Sequence, residues 1–549
     1  MITGKIAILQ KMDGFKNSAA AKTSLFLLIF VATVFLGIPQ NPPSAGNPKI
    51  TRINIENADS IEAKQDSNSN VYILRGNVVF RHDSITMSCD SAYMYNKSNS
   101  LEAFDNVHIV QGDTLFIYGD YLNYYGNSRL AKMRYNVKME NNQVTLFTDS
   151  FDFDRNKNLG YYFKGGMLVD SINELTSVYG QYSPDTKMAF FKNKVQLVNP
   201  QFTLTSDTLN YDTQAKIATI VSPTVIKADS GFIYSNRGWY NTITEESMLY
   251  DRSVVISKDR TKTITADSMF YNQEKGFVEA YGNMVMNDTL KKIIIMGNYG
   301  FYDENTKFAF ATDSAQMIEY SQPDSAFIHA DTLFMKTIDS IREVRAYYGV
   351  RFYRIDLQGI CDSMKFNTGD SILRLYKNPV IWNDAYQLTG DTIHIFFNDS
   401  TIERMNVLNY GFALQKIDST YYNQLKGRKM IGYFSGGEIY QLDVEGNGEA
   451  IYYNLDNKTA APLQLSKSEA PFITFWIKNR KITRIKHFPD PKMNVFPIPD
   501  IQPENKFLKD FVDYDYLRPK NREAIFVKTE MKKEDIPQPR RTRQRSRQQ

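Results

Sequence analysis

The chain has 549 residues, 42% hydrophobic and 23% charged, a globular composition that excludes global disorder. Mean hydropathy is negative, which excludes a polytopic membrane protein. Only two cysteines occur, Cys89 and Cys361, so a disulfide scaffold and a cysteine-based zinc site are excluded too. Net charge is +4, but the positive excess sits in residues 1–23 and 532–549 and leaves a mildly acidic body. Such a body lacks the continuous cationic track that nucleic acid needs, so no nucleic-acid partner is expected.

In chain order, the first element is the uncharged run Leu25–Ile38, preceded by lysines and followed by Pro39, Pro42 and Pro43. It is short for a membrane-spanning helix and fits the apolar core of a signal peptide. Residues 1–45 are therefore expected to be a signal peptide or an uncleaved N-terminal anchor, and the body to be exported. No cysteine follows the run, so a lipid anchor is not expected.

A repeat then governs the body. The phrase Asp, Ser or Thr, apolar, any residue, aromatic or apolar begins at Asp90, Asp120, Asp149, Asp207, Asp267, Asp331, Asp362 and Asp391. Weaker copies begin at Gln181, Asn236 and Asn298, and the steps between starts run from 26 to 33 residues. A second phrase, Asn or Gly followed by apolar–x–apolar, comes about 16 residues later, as in Asn106-Val107-His108-Ile109 and Asn283-Met284-Val285-Met286. Turn-like runs such as residues 96–100, 154–158 and 303–307 lie between the phrases.

Apolar positions in both phrases alternate, which is the period of a strand with one face inward. Each unit reads as a pair of short strands that can bury its apolar face only by stacking on its neighbours. The predicted fold is all-β with few helices: one elongated jellyroll or solenoid of about thirteen strand pairs, each about 30 residues. Residues 50–455 would form it, residues 456–531 a C-terminal extension, and residues 532–549 a disordered basic tail. At one ~4.8 Å step per pair, the stack would be on the order of 60 Å long.

Candidate chemistry is sparse. The repeated Asp-Ser/Thr is expected to set turns by bonding local backbone, since one Asp per ~30 residues is too few for a calcium ladder. The five histidines (His82, His108, His329, His394 and His487) form no metal-binding or catalytic spacing, and no nucleophile elbow, P-loop or dinucleotide fingerprint occurs. Hydrogen-bonded structural roles are expected for His108 and His394. No enzyme activity, metal or cofactor is expected. Cys89 and Cys361 each precede the Asp of their unit, nine steps apart, which predicts two free, half-buried thiols.

The exported start, the Asp-Ser/Thr phrase and the following Asn/Gly strand together resemble the OstA-like family of lipopolysaccharide-transport proteins, which includes LptA-like members. The closest matches are Ala58–Glu62 with Leu74–Phe80, and Ser88–Ala92 with Ala103–Val107. The resemblance implies a β-jellyroll of two facing sheets in the periplasm, held near the inner or the outer membrane. It implies lipopolysaccharide or a lipid A-like glycolipid as ligand, and other transport proteins as partners through edge-to-edge β-stacking.

An apolar trough between two sheets suits acyl chains on physical grounds as well, because they need buried area and no directed bonds. Its inward-facing candidates are Val107, Ile109, Leu122, Tyr124, Val137, Met139, Leu209, Tyr211, Met269 and Tyr271. Two other readings remain open: a structural or adhesive solenoid filled by its own side chains, and an outer-membrane β-barrel. Short apolar runs and even turns disfavour the barrel.

Overall fold

The structure, a computed structural model, describes residues 51–535 apart from 67–68, 399–400, 457, 460, 480 and 533–534. The apolar run at 25–38 and the tail beyond residue 535 lie outside the described residues. Contacts divide the chain after Arg52, and every strand of the described residues belongs to the unit that begins at Ile53.

Among the described residues there are 40 strands, four single-turn 3-10 segments and no α-helix. Each long strand pairs antiparallel with the one before and the one after it: Ser69–His82 with Ile85–Tyr95, then Ser100–Gln111, Leu115–Tyr125, Leu130–Asn141 and Val144–Asp154. Each strand also bends once, and this bend divides the stack into two walls. Between Ser100–Gln111 and Leu115–Tyr125, for instance, the register jumps from Phe104↔Tyr121 to Val107↔Gly119. Asp105 and Asn106, with φ of 61° and 48°, thus oppose the single residue Asp120, which is a bulge that turns the strand.

The bulge has a second effect. It resets the alternation, so Leu101 and Ala103 before it and Val107 and Ile109 after it are all buried. Segments running from the Asp phrase to the Asn phrase form the first wall. Segments from the Asn phrase to the next Asp form the second. Where the bend interrupts the ladder completely, the halves are separate short strands, as in Leu159–Tyr162 and Gly166–Val169, which pair with the two ends of Val144–Asp154.

The repeated Asp has a role that differs from local turn-setting. Its carboxylate accepts a hydrogen bond from the Asn amide of the second phrase on the neighbouring strand: Asn106 to Asp90 at 2.7 Å, Asn136 to Asp120 at 2.6 Å and Asn283 to Asp267 at 2.7 Å. The spacing of 16 residues between phrases is the path from one side of a bend to the other. The left-handed backbone there also suits Asn.

The residue before each Asp, or before Asn298, sits at the apex, where the walls converge, and is small: Cys89, Gly119, Thr148, Ser206, Ala266, Gly297, Ala330, Cys361 and Gly390. At Gly390 any Cβ would come within 2.5 Å of Val407. This accounts for the matching positions of the cysteines. Both thiols are free and fully buried, more so than the half-burial expected. Burial pushes the Cys89 thiol up to about 12 and raises Cys361 further. Neither should react with a thiol reagent until denaturant is added; labelling of either within minutes in native protein would contradict the apex placement.

One expectation, the length of the stack, is corrected. Each ~30-residue unit places two neighbouring strands in the stack, so it advances by about 9.6 Å and not 4.8 Å, roughly doubling the predicted length. Within the C-terminal extension, strand pairing continues through Pro462–Lys478, Lys481–Phe488 and Lys492–Pro497.

Beyond Pro497 the chain runs back over the outer face of the second wall. That face carries an apolar strip, with Trp382 and Val380 packed against Tyr514 and Leu517, and Phe412, Leu414 and Tyr453 against Ile501 and Leu508. Two buried glutamines bracket the returning backbone. Gln424 donates to Lys506 O at 2.8 Å and accepts from Leu508 N at 2.8 Å; Gln387 donates to Val512 O at 2.9 Å and accepts from Tyr514 N at 2.8 Å. A third, Gln358, accepts from Arg518 Nε at 2.9 Å. Each amide is satisfied by main chain or guanidinium, so the strap is held independently of most of its own side chains. A chain ending at Pro497 should expose this strip and self-associate. A monomer of unchanged thermal stability, by light scattering and calorimetry, would contradict that.

Candidate functional site

The interior between the walls is the one feature every unit shares. All ten inward-facing candidates are buried: Val107, Ile109, Leu122, Tyr124, Val137, Met139, Leu209, Tyr211 and Met269 at 3% exposure or less, and Tyr271 at 8%. Their chain neighbours Asn123 and Asn210 are half-buried on the outer face. The structure thus places the ten in one continuous apolar core with the rest of the stack. Apart from Tyr271, which lines a cleft, they do not line an open channel. Their side chains pack on one another, and the expected trough is closed.

The rim opposite the apex is closed by side chains alone, while main-chain ladders run within each wall. At several rungs a tyrosine sends its ring inward and its hydroxyl across to the second wall, whereas the phrases at Asp90, Asp331, Asp362 and Asp391 carry Met94, Met335, Phe366 and Ile395 at that position. Tyr124 Oη lies 2.6 Å from His82 Nδ1 and accepts from Arg155 at 2.8 Å. Tyr182 donates to Asn141 at 2.9 Å, Tyr211 to Asp170 at 2.5 Å and Tyr271 to Ser230 at 3.4 Å, while Lys262 donates to Tyr302 at 3.1 Å. These cross-wall partners lie 40–42 residues upstream of their tyrosines. Burial pushes the pKa values of Tyr124, Tyr182, Tyr211 and Tyr271 up, keeping these hydroxyls neutral.

Strand alternation marks these tyrosines by their rings and misses their hydroxyl partners, although the nearly constant offset to an upstream polar residue is written in the chain. The seam is uneven. Phe153 has no hydroxyl to offer. Tyr240 is buried with its hydroxyl unpartnered, because Asn199, at the equivalent upstream position, bonds Asn173 instead.

The strongest electrostatic centre on the seam is Asp170, whose side chain is fully buried. Burial pushes its carboxyl up, but hydrogen bonds from Tyr211, Lys216 and the backbone of Ile172 and Asn173 outweigh that and hold it below the usual carboxylate range. Lys216 Nζ stands 2.9 Å away.

The histidines are dispersed. His108 stacks on Tyr118 with ring centroids 4.4 Å apart, and its Nε2 is buried without a partner, so it is a packing residue and not the hydrogen-bonded one expected. His394 meets Tyr376 and Phe396 edge-on. His329 Nδ1 meets Ala315 O at 2.8 Å, and His487 meets Ser468 at 2.9 Å. Among the described residues no group of His, Cys, Asp or Glu is arranged to hold a metal, and no helix is long and apolar enough to cross a membrane.

Comparison with known proteins bears on this architecture. Residues 50–207 and 250–323 match the OstA-like protein family. Among solved structures, the chain is similar to LptH of Pseudomonas aeruginosa, described as the LptA-homologous periplasmic component of a lipopolysaccharide-transport device. The two are 12% identical with a TM-score of 0.20, and the match covers 27% of this chain and 95% of LptH. No curated protein sequence matches the chain.

Proposed function

We propose that this protein holds the acyl chains of lipopolysaccharide, or of a related glycolipid, between its two walls and helps carry it across the periplasm to the outer membrane. One observation carries the reading: among the described residues the apolar interior is closed at the rim by side chains, with cross-wall hydrogen bonds at some rungs and none at others. It can open there without breaking a main-chain ladder, and the apolar area so exposed suits an acyl chain. The OstA-like match over 50–207 and 250–323 agrees with it. No catalytic step is assigned.

Partners would add at the ends of the stack. Among the described residues, Asn54–Asn57 and Ser60–Asp66 pair only with Ser69–His82, and Lys481–Phe488 and Lys492–Pro497 only with Pro462–Lys478. Each end presents unpaired main-chain groups, which suit edge-to-edge β-stacking with other transport proteins. For localisation we propose export to the periplasm directed by residues 1–45. Residues 50–531 alone should fold and remain soluble, and aggregation relieved only by detergent would speak against export as a soluble body.

The packed interior favours a second reading, a structural solenoid with a self-filled core. A photo-crosslinking residue at Tyr124 or Tyr211 in living cells separates the two. Capture of glycolipid there, with much less at Asn123 or Asn210, supports carriage. Equal labelling at inward and outward sites, in folded protein, supports the filled solenoid.

A further inference from the structure

The interior is not packed equally along its length. Between the strands that run from Thr224 to Asp303 the walls leave a cleft of about 50 Å³, lined by Ile226, Phe232, Ile264, Tyr271, Val278 and Tyr302 among others. That is room for roughly three or four waters, or a short stretch of hydrocarbon. A smaller void of about 10 Å³ adjoins it, sharing Ile264, Val278 and Tyr302 and lined also by Met284 and Met286. Thioethers on unbranched chains repack at little cost, so this is the most adaptable stretch of the interior.

One polar atom in the cleft stands out. Gln273 lines it, and its side-chain Oε1 is buried with no donor in reach. A buried acceptor is ordinarily satisfied, so this one is suited to receive a hydrogen bond from a ligand that enters the cleft. The rim is also weak here. The Tyr271–Ser230 contact is 3.4 Å against 2.6 Å for Tyr124 and His82.

We infer that this cleft is where the interior first admits its lipid, and that Gln273 selects an acyl chain carrying an O–H or N–H donor near its polar end. This rests on the lipid-carrying reading and adds to it a position and a selectivity. The adjoining void gives the chain a direction, from the Gln273 cleft toward Met284 and Ile295. Hydrocarbon fills the space between Ile226, Ile264 and Val278, and the donor meets Gln273 Oε1.

The test uses the full chain, stripped of lipid, and two diazirine-bearing fatty acids of one length, hydroxylated and unhydroxylated. Cross-linked peptides should map to residues 226–304, and the hydroxylated probe should be captured about tenfold better, the worth of one hydrogen bond. Gln273→Leu should abolish that preference while melting no lower than the native protein, since it removes an unsatisfied buried acceptor. Gln273→Met serves as a second variant if leucine disturbs the fold. Capture at Tyr124 or Tyr211 without capture here would overturn this inference and leave lipid carriage standing. Capture nowhere in the interior would overturn both. An unchanged preference in Gln273→Leu would overturn the role of Gln273.

Discussion

Leu122→Asp should destroy local folding around its strand. Leu122 is fully buried in the first wall, beside Ala103 and Met133 on the neighbouring strands. The change removes the transfer free energy of a leucine and leaves a carboxylate in apolar surroundings, together a loss of about 5 kcal/mol or more. Hydrogen exchange should show lost protection from about residue 100 to 141, and the urea midpoint should fall. The outward Asn123→Asp should change stability by under about 1 kcal/mol. A midpoint for Leu122→Asp near that of Asn123→Asp would mean that the inward column is wrongly assigned.

Lys216→Met should be the most damaging change on the rim, at about 3 kcal/mol or more, because it leaves the buried Asp170 without its cation. The pH dependence has a definite sign. The carboxyl of Asp170 is held below its ordinary value in the folded protein, so its contribution is present above the unfolded value near ~4 and is lost as pH falls through the lower folded value. Thermal stability of the native protein should therefore drop as pH falls below about 4. Asp170→Asn should be less stable at neutral pH and flatter in acid. The deficit of Lys216→Met should shrink on acidification, since a protonated Asp170 no longer needs a counter-charge. A deficit that stays constant from about pH 7 to about pH 3 would show that the pair carries no such linkage.

The strand pairs, and which of their residues point inward, were legible from alternation alone, because a one-residue error would turn Val107 and Ile109 outward with the rest of their strand. The bends were present in the chain as paired Asp and Asn phrases, but read locally each Asp looked like a turn residue. Its true partner is 16 residues away, across a bulge that periodicity cannot show. The strap was illegible for a different reason. Gln358, Gln387 and Gln424 look like ordinary polar strand residues, and the segments they hold lie 82 to 160 positions away with no pattern of their own. The doubled length follows from the same limit: a repeat period counts residues and does not say how many strands each period lays side by side.

The rim seam turns opening into a one-dimensional problem. Each tyrosine bond joins only its own rung and an adjacent one, so the free energy of separating the walls grows with the number of neighbouring rungs released and not with the size of the whole protein. A gap a few rungs wide costs only the bonds of the rungs it spans, and moving it by one rung breaks at most one bond while another can re-form behind it. Such a gap can migrate along the stack with small net changes in free energy, slowing at Asp170 and Lys216, where the bond is strongest, and quickening beside Phe153 and Tyr240, where no bond must break.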